Sequence, residues 1–433
     1  MPMKTLQIKP AKKLSGEISV QGDKSISHRA VILGSIAEGT TRVTNFLPSE
    51  DCIRTIKAFE AMGINIEMNR NTLIINGKGL NGLTEPNDVM DMRNSGTSAR
   101  LLCGLLSGQP FFSVMTGDSS LRRRPMKRVA DPLRMMGATI WGRGGGDFLP
   151  MCIKGSEIKG ITYKLPVASA QVKSAILFAG LYAKGITSVE EITTSRDHTE
   201  RMMVYFGINL MRKGSILIVE GGEKPSAKEV EVPGDISAAA FFMVGASLIE
   251  GSEVVIKDVG INPTRTGIID ILRKMGASIE ISNQREMGAE PAGDIRIKSA
   301  LLKGIEIKGD VIPRCVDELP VICIAAAVAE GETVIKDASE LRVKESDRIA
   351  VMAECLSRVG VEVETYPDGM RIKGGMGLKG TVCNSHGDHR IAMSMAIAGL
   401  ITEGEMTIED TECINTSFPE FEETLRKLVK RIN

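Results

Sequence analysis

Along this chain, apolar and polar positions return in one repeated order. A helical stretch of small apolar residues is followed by an acidic or small residue and Gly, and then by a strand-like run alternating Thr with Val or Ile. The phrase appears as Ala37-Glu38-Gly39-Thr40-Thr41-Arg42-Val43, Leu106-Ser107-Gly108-Gln109-Pro110 and Ala183-Lys184-Gly185-Ile186-Thr187. It is cleaner in the second half, as Ile249-Glu250-Gly251-Ser252-Glu253-Val254-Val255, Ala329-Glu330-Gly331-Glu332-Thr333-Val334 and Thr402-Glu403-Gly404-Glu405-Met406-Thr407. The glycines fall about 65 to 80 residues apart, which is long enough for several elements per repeat and longer than a solenoid unit.

A second marker interleaves with the first. Met62-Gly63-Ile64, Met136-Gly137-Ala138, Phe206-Gly207-Ile208, Met275-Gly276-Ala277 and Val359-Gly360-Val361 each read as a helix closed by a left-handed Gly before a strand. The sixth counterpart is expected in the terminal helix around Leu425 to Val429. Short alternating strands follow the closures, as in Leu73-Ile74-Ile75-Asn76-Gly77 and Ser215-Ile216-Leu217-Ile218-Val219. Each repeat therefore reads strand, helix, strand, helix, strand, strand, and six copies divide three and three into two α/β domains.

Bulk properties agree with two domains. A chain of 433 residues exceeds the size at which one core keeps growing, and 42% hydrophobic with 25% charged residues is ordinary globular composition. Lys+Arg and Asp+Glu are both 54, so anion binding has to come from locally arranged charge, and with 4% aromatics a nucleic-acid partner is not expected. The eight cysteines form no Cys-x-x-Cys pair, and nothing at the N-terminus resembles an export signal. Free thiols, a cytoplasmic location and no membrane span are the expectation. The 23 methionines sit mostly in apolar helical stretches, where they fill core.

Candidate chemistry lies at the start of each repeat's first helix. In Gly22-Asp23-Lys24-Ser25-Ile26-Ser27-His28-Arg29, Asp23 or Ser25 can cap, while Lys24 and Arg29 place positive charge where the helix dipole already favours an anion. An anionic ligand would resolve that misfit. The other starts are Asn94-Ser95-Gly96-Thr97, Ser169-Ala170-Gln171, Gly234-Asp235-Ile236-Ser237, Asp317-Glu318-Leu319-Pro320 and Gly387-Asp388-His389-Arg390. The fourth carries no cation and reads as structural. Gly-Asp-Lys-Ser lacks the spacing of a P-loop.

Several motifs have plain readings beside the sharper ones. Leu121-Arg122-Arg123-Arg124-Pro125-Met126-Lys127-Arg128 is a solvated basic loop or, because Pro125 restricts Arg124, a preset guanidinium. Lys344-Glu345-Ser346-Asp347-Arg348 is an exposed ion-pair cluster or, with Lys344 and Arg348 four apart, a cationic helix face. Cations beside Glu345 oppose a proton-donor role by lowering its pKa, unless an anionic substrate supplies negative field. Asp317 is a helix-start acid or a general base. His386-Gly387-Asp388-His389-Arg390 reads better as an anion clamp at Arg390 than as a metal site.

Together with Ser169-Ala170-Gln171-Val172-Lys173-Ser174 and Ser195-Arg196-Asp197-His198-Thr199-Glu200, these words resemble the 5-enolpyruvylshikimate-3-phosphate synthase family, closest to its often glyphosate-tolerant bacterial class II, from about residue 6 to the terminus. The resemblance implies a two-domain inverse α/β barrel, the enolpyruvyl transferase fold, with six βαβαββ units, three per domain. Residues 1–21 plus 235–433 would form one domain and residues 22–234 the other. The active site would lie in the interdomain cleft, closing as substrate arrives. It implies a transferase moving the enolpyruvyl group of phosphoenolpyruvate to the 5-hydroxyl of shikimate 3-phosphate, with release of phosphate through a tetrahedral ketal. That is a step of the shikimate pathway to chorismate and the aromatic amino acids, carried out by a monomer with no cofactor or metal.

Carried over residue by residue, Lys24, Gly96, Arg124, Gln171, Arg348 and Arg390 would hold phosphoenolpyruvate. Lys24, Ser25, Arg29, Ser169, Gln171, Arg196, Asp317 and Lys344 would hold shikimate 3-phosphate. Asp317 would take the 5-hydroxyl proton, with Glu345 and Lys24 as candidates at the methylene carbon. Ala170 stands where many members have a second Ser, and Asn415-Thr416-Ser417-Phe418-Pro419 lacks a Lys that many members direct at phosphoenolpyruvate. Glyphosate is a candidate inhibitor, with Gly96 at the position where a larger side chain confers tolerance. The rival is the related transferase acting on UDP-N-acetylglucosamine, which relies on a loop Cys absent from residues 122–127.

Overall fold

Small apolar residues make the first helix of each repeat, and their even hydrophobicity buries these helices on all sides. In Ile236–Leu248 and Leu319–Val328 almost every side chain is enclosed, because Ala, Gly and Ser let neighbouring elements approach closely from any direction. The strands show the complementary period: in Thr72–Lys78, Leu73 and Ile75 are buried while their neighbours are not. The computed structural model describes residues 4–375 and 377–430.

The chain divides into two compact units. One comprises residues up to Gln21 with Pro233–Glu286 and the chain from Pro291; the other comprises Gly22–Val232 with Met287–Glu290.

The second unit holds three four-stranded sheets of identical order. In one, Met90–Asp91 runs parallel to Phe112–Thr116, which pairs antiparallel with Phe148–Lys154, which pairs antiparallel with Thr139–Arg143. Thr162–Lys164, Ile186–Glu190, Ile216–Glu220 and Leu210–Lys213 repeat that order. So do Glu229–Glu231, Glu38–Thr44, Thr72–Lys78 and Asn65–Asn69. Phe46, Phe59, Phe178 and Phe206 lie in the core of this unit.

The other unit follows the same rule with modifications. Glu306–Ile307, Glu332–Ile335, Gly369–Lys373 and Glu362–Tyr366 form the plain version. In a second sheet Lys13–Ser19 is the parallel partner of Glu253–Gly260, and Val429–Lys430 is added on its outer edge. In the third, Val382–Asn384 is parallel to Met406–Glu409, whose antiparallel neighbour is Thr5–Ile8 from the start of the chain. A cluster of Phe241, Phe242, Phe418 and Phe421, ring centroids 5.7–6.0 Å apart, anchors the last helix.

Two strands break the simple reading of each repeat as a contiguous stretch. Lys13–Ser19 precedes the Lys24–Ile36 helix in sequence but pairs in the unit that does not contain it, and Glu229–Glu231 does the same ahead of Ile236–Leu248. The helix-closing glycines are left-handed as their spacing predicts, Gly63 at φ 86° and Gly360 at 94° for example. Leu106-Ser107-Gly108 departs from its set: Gly108 caps its helix at φ −96°, so no left-handed turn follows it.

Candidate active site

Of the helix starts singled out by sequence, five use the preceding polar side chain as a cap. Asp23 accepts from Ile26 N at 2.9 Å, Ser95 from Ser98 N at 3.3 Å, Ser169 from Val172 N at 3.4 Å, Asp235 from Ser237 N at 2.8 Å, and Asp388 from Arg390 N at 2.9 Å. None of these five helices carries an acid within its first turn, so the helix starts capped by Ser95 and Ser169 have neutral caps, while Asp23, Asp235 and Asp388 each bring a capping carboxylate to theirs.

In the unit built from Gly22–Val232, Lys24 Nζ pairs with Asp51 Oδ2 at 3.1 Å. Arg29 lies deeper, 3% exposed: Nε donates to Thr199 Oγ1 at 2.6 Å, Nη1 to the Ser25 carbonyl at 2.9 Å and Nη2 to Ser174 Oγ at 3.0 Å. Burial pulls its pKa down to about 10, with Glu200, Asp23 and Glu290 opposing that shift. Gly96 is the first residue of its helix. A Cβ there would come within 2.9 Å of Arg100 Nη1 and 3.3 Å of Arg124 Nη1, so the missing side chain keeps both guanidinium groups in place. Arg124 is buried, donating through Nη2 to Asn94 Oδ1 and through Nη1 to the Asn94 carbonyl.

Gln171 is oriented by its neighbours: its Oε1 accepts from Arg100 Nη1 at 2.8 Å, and its Nε2 donates to Thr97 Oγ1 at 3.1 Å. Arg100 carries no signal of its own in the sequence: it lies three residues past Thr97 inside an otherwise apolar helix, and its partner Gln171 is 71 residues away. Arg196 is half-buried directly after Ser195. Glu290, brought into this unit by residues 287–290, meets the His198 ring at 2.7 Å.

In the other unit, Arg348 is the hub. Its guanidinium is 1% exposed and touches three carboxylates: Asp317 at 3.2 Å, Glu345 at 2.7 Å and Asp388 at 2.8 Å. Burial alone would depress its pKa, but Asp388, Glu345 and Asp317 together hold it well above the ordinary arginine value. Lys344 lies 3.8 Å from Asp317, and Arg390 donates to the Ser237 carbonyl at 3.3 Å. His389 Nδ1 lies 3.5 Å from Thr416 Oγ1. Asp317, Lys344, Glu345 and Arg348 are thus brought together. So, separately, are Lys24, Ser25 and Arg29, and Gly96, Arg124 and Gln171.

Two expectations need correction. Lys344 and Arg348 do not share a helix face: Asp347 caps Ala350 N at 3.1 Å and starts the helix at Arg348, so Lys344 lies in the preceding turn. The Gly234-Asp235-Ile236-Ser237 start is not without a cation. Arg265 reaches it from a distant loop, donating to Ser237 Oγ at 2.7 Å and lying 3.4 Å from Asp235 and 3.9 Å from Glu318, a pairing that sequence separation hid. Among the described residues there is no cluster of His, Cys, Asp and Glu suited to a metal ion, and no helix long and apolar enough to cross a membrane.

Comparison with known proteins agrees in family and fold. A model of EPSP synthase (3-phosphoshikimate 1-carboxyvinyltransferase) matches residues 8–425. The chain is similar to the 3-phosphoshikimate 1-carboxyvinyltransferase of Geotalea uraniireducens, 58% identical over 99% of this chain and 100% of that one. It is 54% identical to the protein of that name from Citrifermentans bemidjiense over the same shares. Among solved structures it resembles EPSP synthase from Acinetobacter baumannii, with a TM-score of 0.88 at 50% identity and 99% of both chains covered. The enolpyruvyl transferase fold implied by the sequence motifs is therefore the fold of this chain.

Proposed function

The chain belongs to the EPSP synthase family, and from that membership and the geometry above we propose how it works. It transfers the enolpyruvyl group of phosphoenolpyruvate to the 5-hydroxyl of shikimate 3-phosphate, giving 5-enolpyruvylshikimate 3-phosphate and phosphate, in the route to chorismate and the aromatic amino acids. The observation that carries the mechanism is Arg348, which holds Asp317 and Glu345 on two nitrogens of one guanidinium and so fixes two proton-handling groups in one place.

Asp317 takes the proton of the 5-hydroxyl as its oxygen attacks C2 of phosphoenolpyruvate. Glu345 or Lys24 delivers a proton to the methylene carbon, making it a methyl group, and C2 becomes a tetrahedral ketal. Loss of a methyl proton to the same group and departure of phosphate from C2 restore the double bond, and the proton held by Asp317 passes to the leaving phosphate, so protons and charge balance over the cycle. Lys24, Arg124, Arg348 and Arg390, with the Gly96 backbone and Gln171, bind phosphoenolpyruvate and its developing charge. Lys24, Ser25, Arg29, Ser169, Gln171, Arg196, Asp317 and Lys344 bind shikimate 3-phosphate. Preorganised donors of this kind lower barriers by several kcal/mol, roughly 3 per well-placed group.

Glyphosate, a small anion carrying a phosphonate and a carboxylate, is a candidate ligand for the phosphoenolpyruvate side, beside Gly96. The protein is further proposed to act as a monomer in the cytoplasm on small, water-soluble substrates. The relatives named above act on 3-phosphoshikimate, and no observation favours UDP-N-acetylglucosamine as acceptor.

Purified protein should release phosphate when shikimate 3-phosphate and phosphoenolpyruvate are both supplied, and with neither alone, in the absence of metal and nucleotide. Mass spectrometry should identify the enolpyruvyl ether. Release with UDP-N-acetylglucosamine in place of shikimate 3-phosphate, and none with the proposed pair, would overturn the reading.

A further inference from the structure

Lys173 has no part in the chemistry above, yet its ammonium group is enclosed, with a side-chain exposure of 0%. It lies one turn into Ala170–Gly180, an otherwise apolar helix whose cap is Ser169 and whose second residue is Gln171. Nζ donates to Glu191 Oε1 at 2.9 Å, lies 2.6 Å from Glu200 Oε1, and reaches the Ser195 carbonyl at 3.5 Å. Glu191 Oε1 accepts in addition from Ser195 N at 2.9 Å and from Ser195 Oγ at 2.6 Å. Arg212 closes the other side, its Nη2 3.3 Å from Glu191 Oε2 and 3.4 Å from Glu200 Oε1.

The N–H, hydroxyl and carbonyl of Ser195 are therefore all bound to one buried ion pair, and Ser195 is the residue immediately before Arg196. A second buried knot lies next to the first. Thr199 Oγ1 accepts from Arg29 Nε and lies 2.6 Å from Ser174 Oγ, which accepts from Arg29 Nη2. The two knots join three segments assigned to shikimate 3-phosphate: the helix turn bearing Ser25 and Arg29, the start bearing Ser169 and Gln171, and the turn bearing Arg196.

Stability is a weak explanation for this arrangement. A buried ion pair is often no more stabilising than apolar residues of the same volume, while its geometry is far more specific. Glu191 stays ionised in it: burial raises its pKa, but the Lys173 charge and the bonds from Ser195 more than offset that and leave it below the usual value. Glu200, more deeply enclosed, is shifted upward by burial.

We propose that Lys173 and Glu191 are positioning residues for the shikimate 3-phosphate subsite, fixing the Ser195 backbone so that Arg196 meets the acceptor's phosphate. The inference rests on the reading above that Arg196 binds that phosphate. A guanidinium displaced by about 1 Å loses much of a phosphate contact, so the effect should fall on one substrate alone.

The test is steady-state kinetics of the full chain with each substrate varied in turn, on wild type, Glu191→Ala and Glu191→Gln, with isothermal titration of shikimate 3-phosphate in the absence of phosphoenolpyruvate. Glu191→Ala should raise KM and Kd for shikimate 3-phosphate about tenfold or more, with KM for phosphoenolpyruvate and kcat within about threefold of wild type. Glu191→Gln keeps the shape and an oxygen for Ser195, so it should recover all but about threefold of that loss. Equal shifts in both KM values, or a KM for shikimate 3-phosphate within about twofold of wild type in folded Glu191→Ala, would overturn the proposal. If Glu191→Ala does not fold, Lys173→Met, which removes the other half of the pair, is held to the same criteria: a KM for shikimate 3-phosphate raised about tenfold or more with KM for phosphoenolpyruvate within about threefold supports the proposal, and a smaller or equal shift overturns it. Absence of turnover by wild type would overturn the functional reading instead, and the two failures are distinguishable.

Discussion

Arg348 and Lys24 are both site cations, and the structure gives them different tasks. Arg348 is enclosed by Asp317, Glu345 and Asp388, so it works as much on its carboxylates as on any ligand. Lys24 pairs with Asp51, and its side chain keeps 17% of its exposure. Lys24→Met should therefore lower kcat/KM by about 10²- to 10³-fold, as for loss of a preorganised charge. The same change should lower unfolding free energy by only about 1 kcal/mol, the scale of a partly screened pair. Urea titration and turnover on the same preparation check this, and a loss of several kcal/mol would make Lys24 a structural residue. Asp317, Lys344 and Glu345 illustrate what a motif can show. The closeness of Lys344 and Glu345 in sequence suggested a cluster, but that Asp317 joins it from 27 residues away is a tertiary fact.

At the scale of elements, the Gly96–Ser107 and Ala170–Gly180 helices are a matched pair. Their starts carry Gly96 and Gln171, and Arg100 of the first holds Gln171 of the second. They approach closely enough that a Cβ on Gly104 would lie 2.0 Å from the Ala175 carbonyl oxygen. Backbone cannot yield as a flexible side chain can, so Gly104→Ala should push the helices apart at a cost of about 2–4 kcal/mol. Denaturant unfolding would show it, together with a raised KM for the substrate held by Gln171. A loss below about 0.5 kcal/mol would mean the pair has slack that the close approach does not suggest. Glycine at that position looks, in sequence, like any other small residue of an apolar helix. The closing glycines at Gly63 and Gly360 were legible because their need is local, a left-handed turn set by adjacent residues, whereas the need at Gly104 comes from a chain segment about 70 residues away.

At the scale of the whole molecule, the buried His28 ties acid stability to a site-bearing helix. Burial, followed by the charges of Lys24 and Arg29, holds its pKa well below 6.5, and its Nδ1 lies 2.7 Å from Thr55 Oγ1. The unfolded chain binds a proton at His28 as pH falls through 6.5 while the folded chain does not, so the unfolded state gains protons and stability drops with acid. The contribution is intact above pH 6.5 and is lost below it, at no more than about 1.4 kcal/mol per pH unit. His28→Gln should flatten the decline in urea midpoint between pH 6.5 and 5.5 relative to wild type. Parallel declines in the two proteins would assign the acid sensitivity elsewhere.

By itself, the sequence determined the repeat, the alternation of small-residue helices with short strands, the polar caps and the cations at helix starts that lack a first-turn acid. All of these are set by residues within a turn or a strand of one another, and local sterics and hydrogen bonding act at that range. Only the tertiary structure decided which strands Lys13–Ser19 and Glu229–Glu231 pair with, that Arg265 and Arg100 serve starts remote in sequence, and that Lys173 and Glu191 grip the residue before Arg196. Those contacts depend on which surfaces meet after long stretches of chain have folded back. No local pattern encodes the partner of a buried charge; burial only requires that there be one.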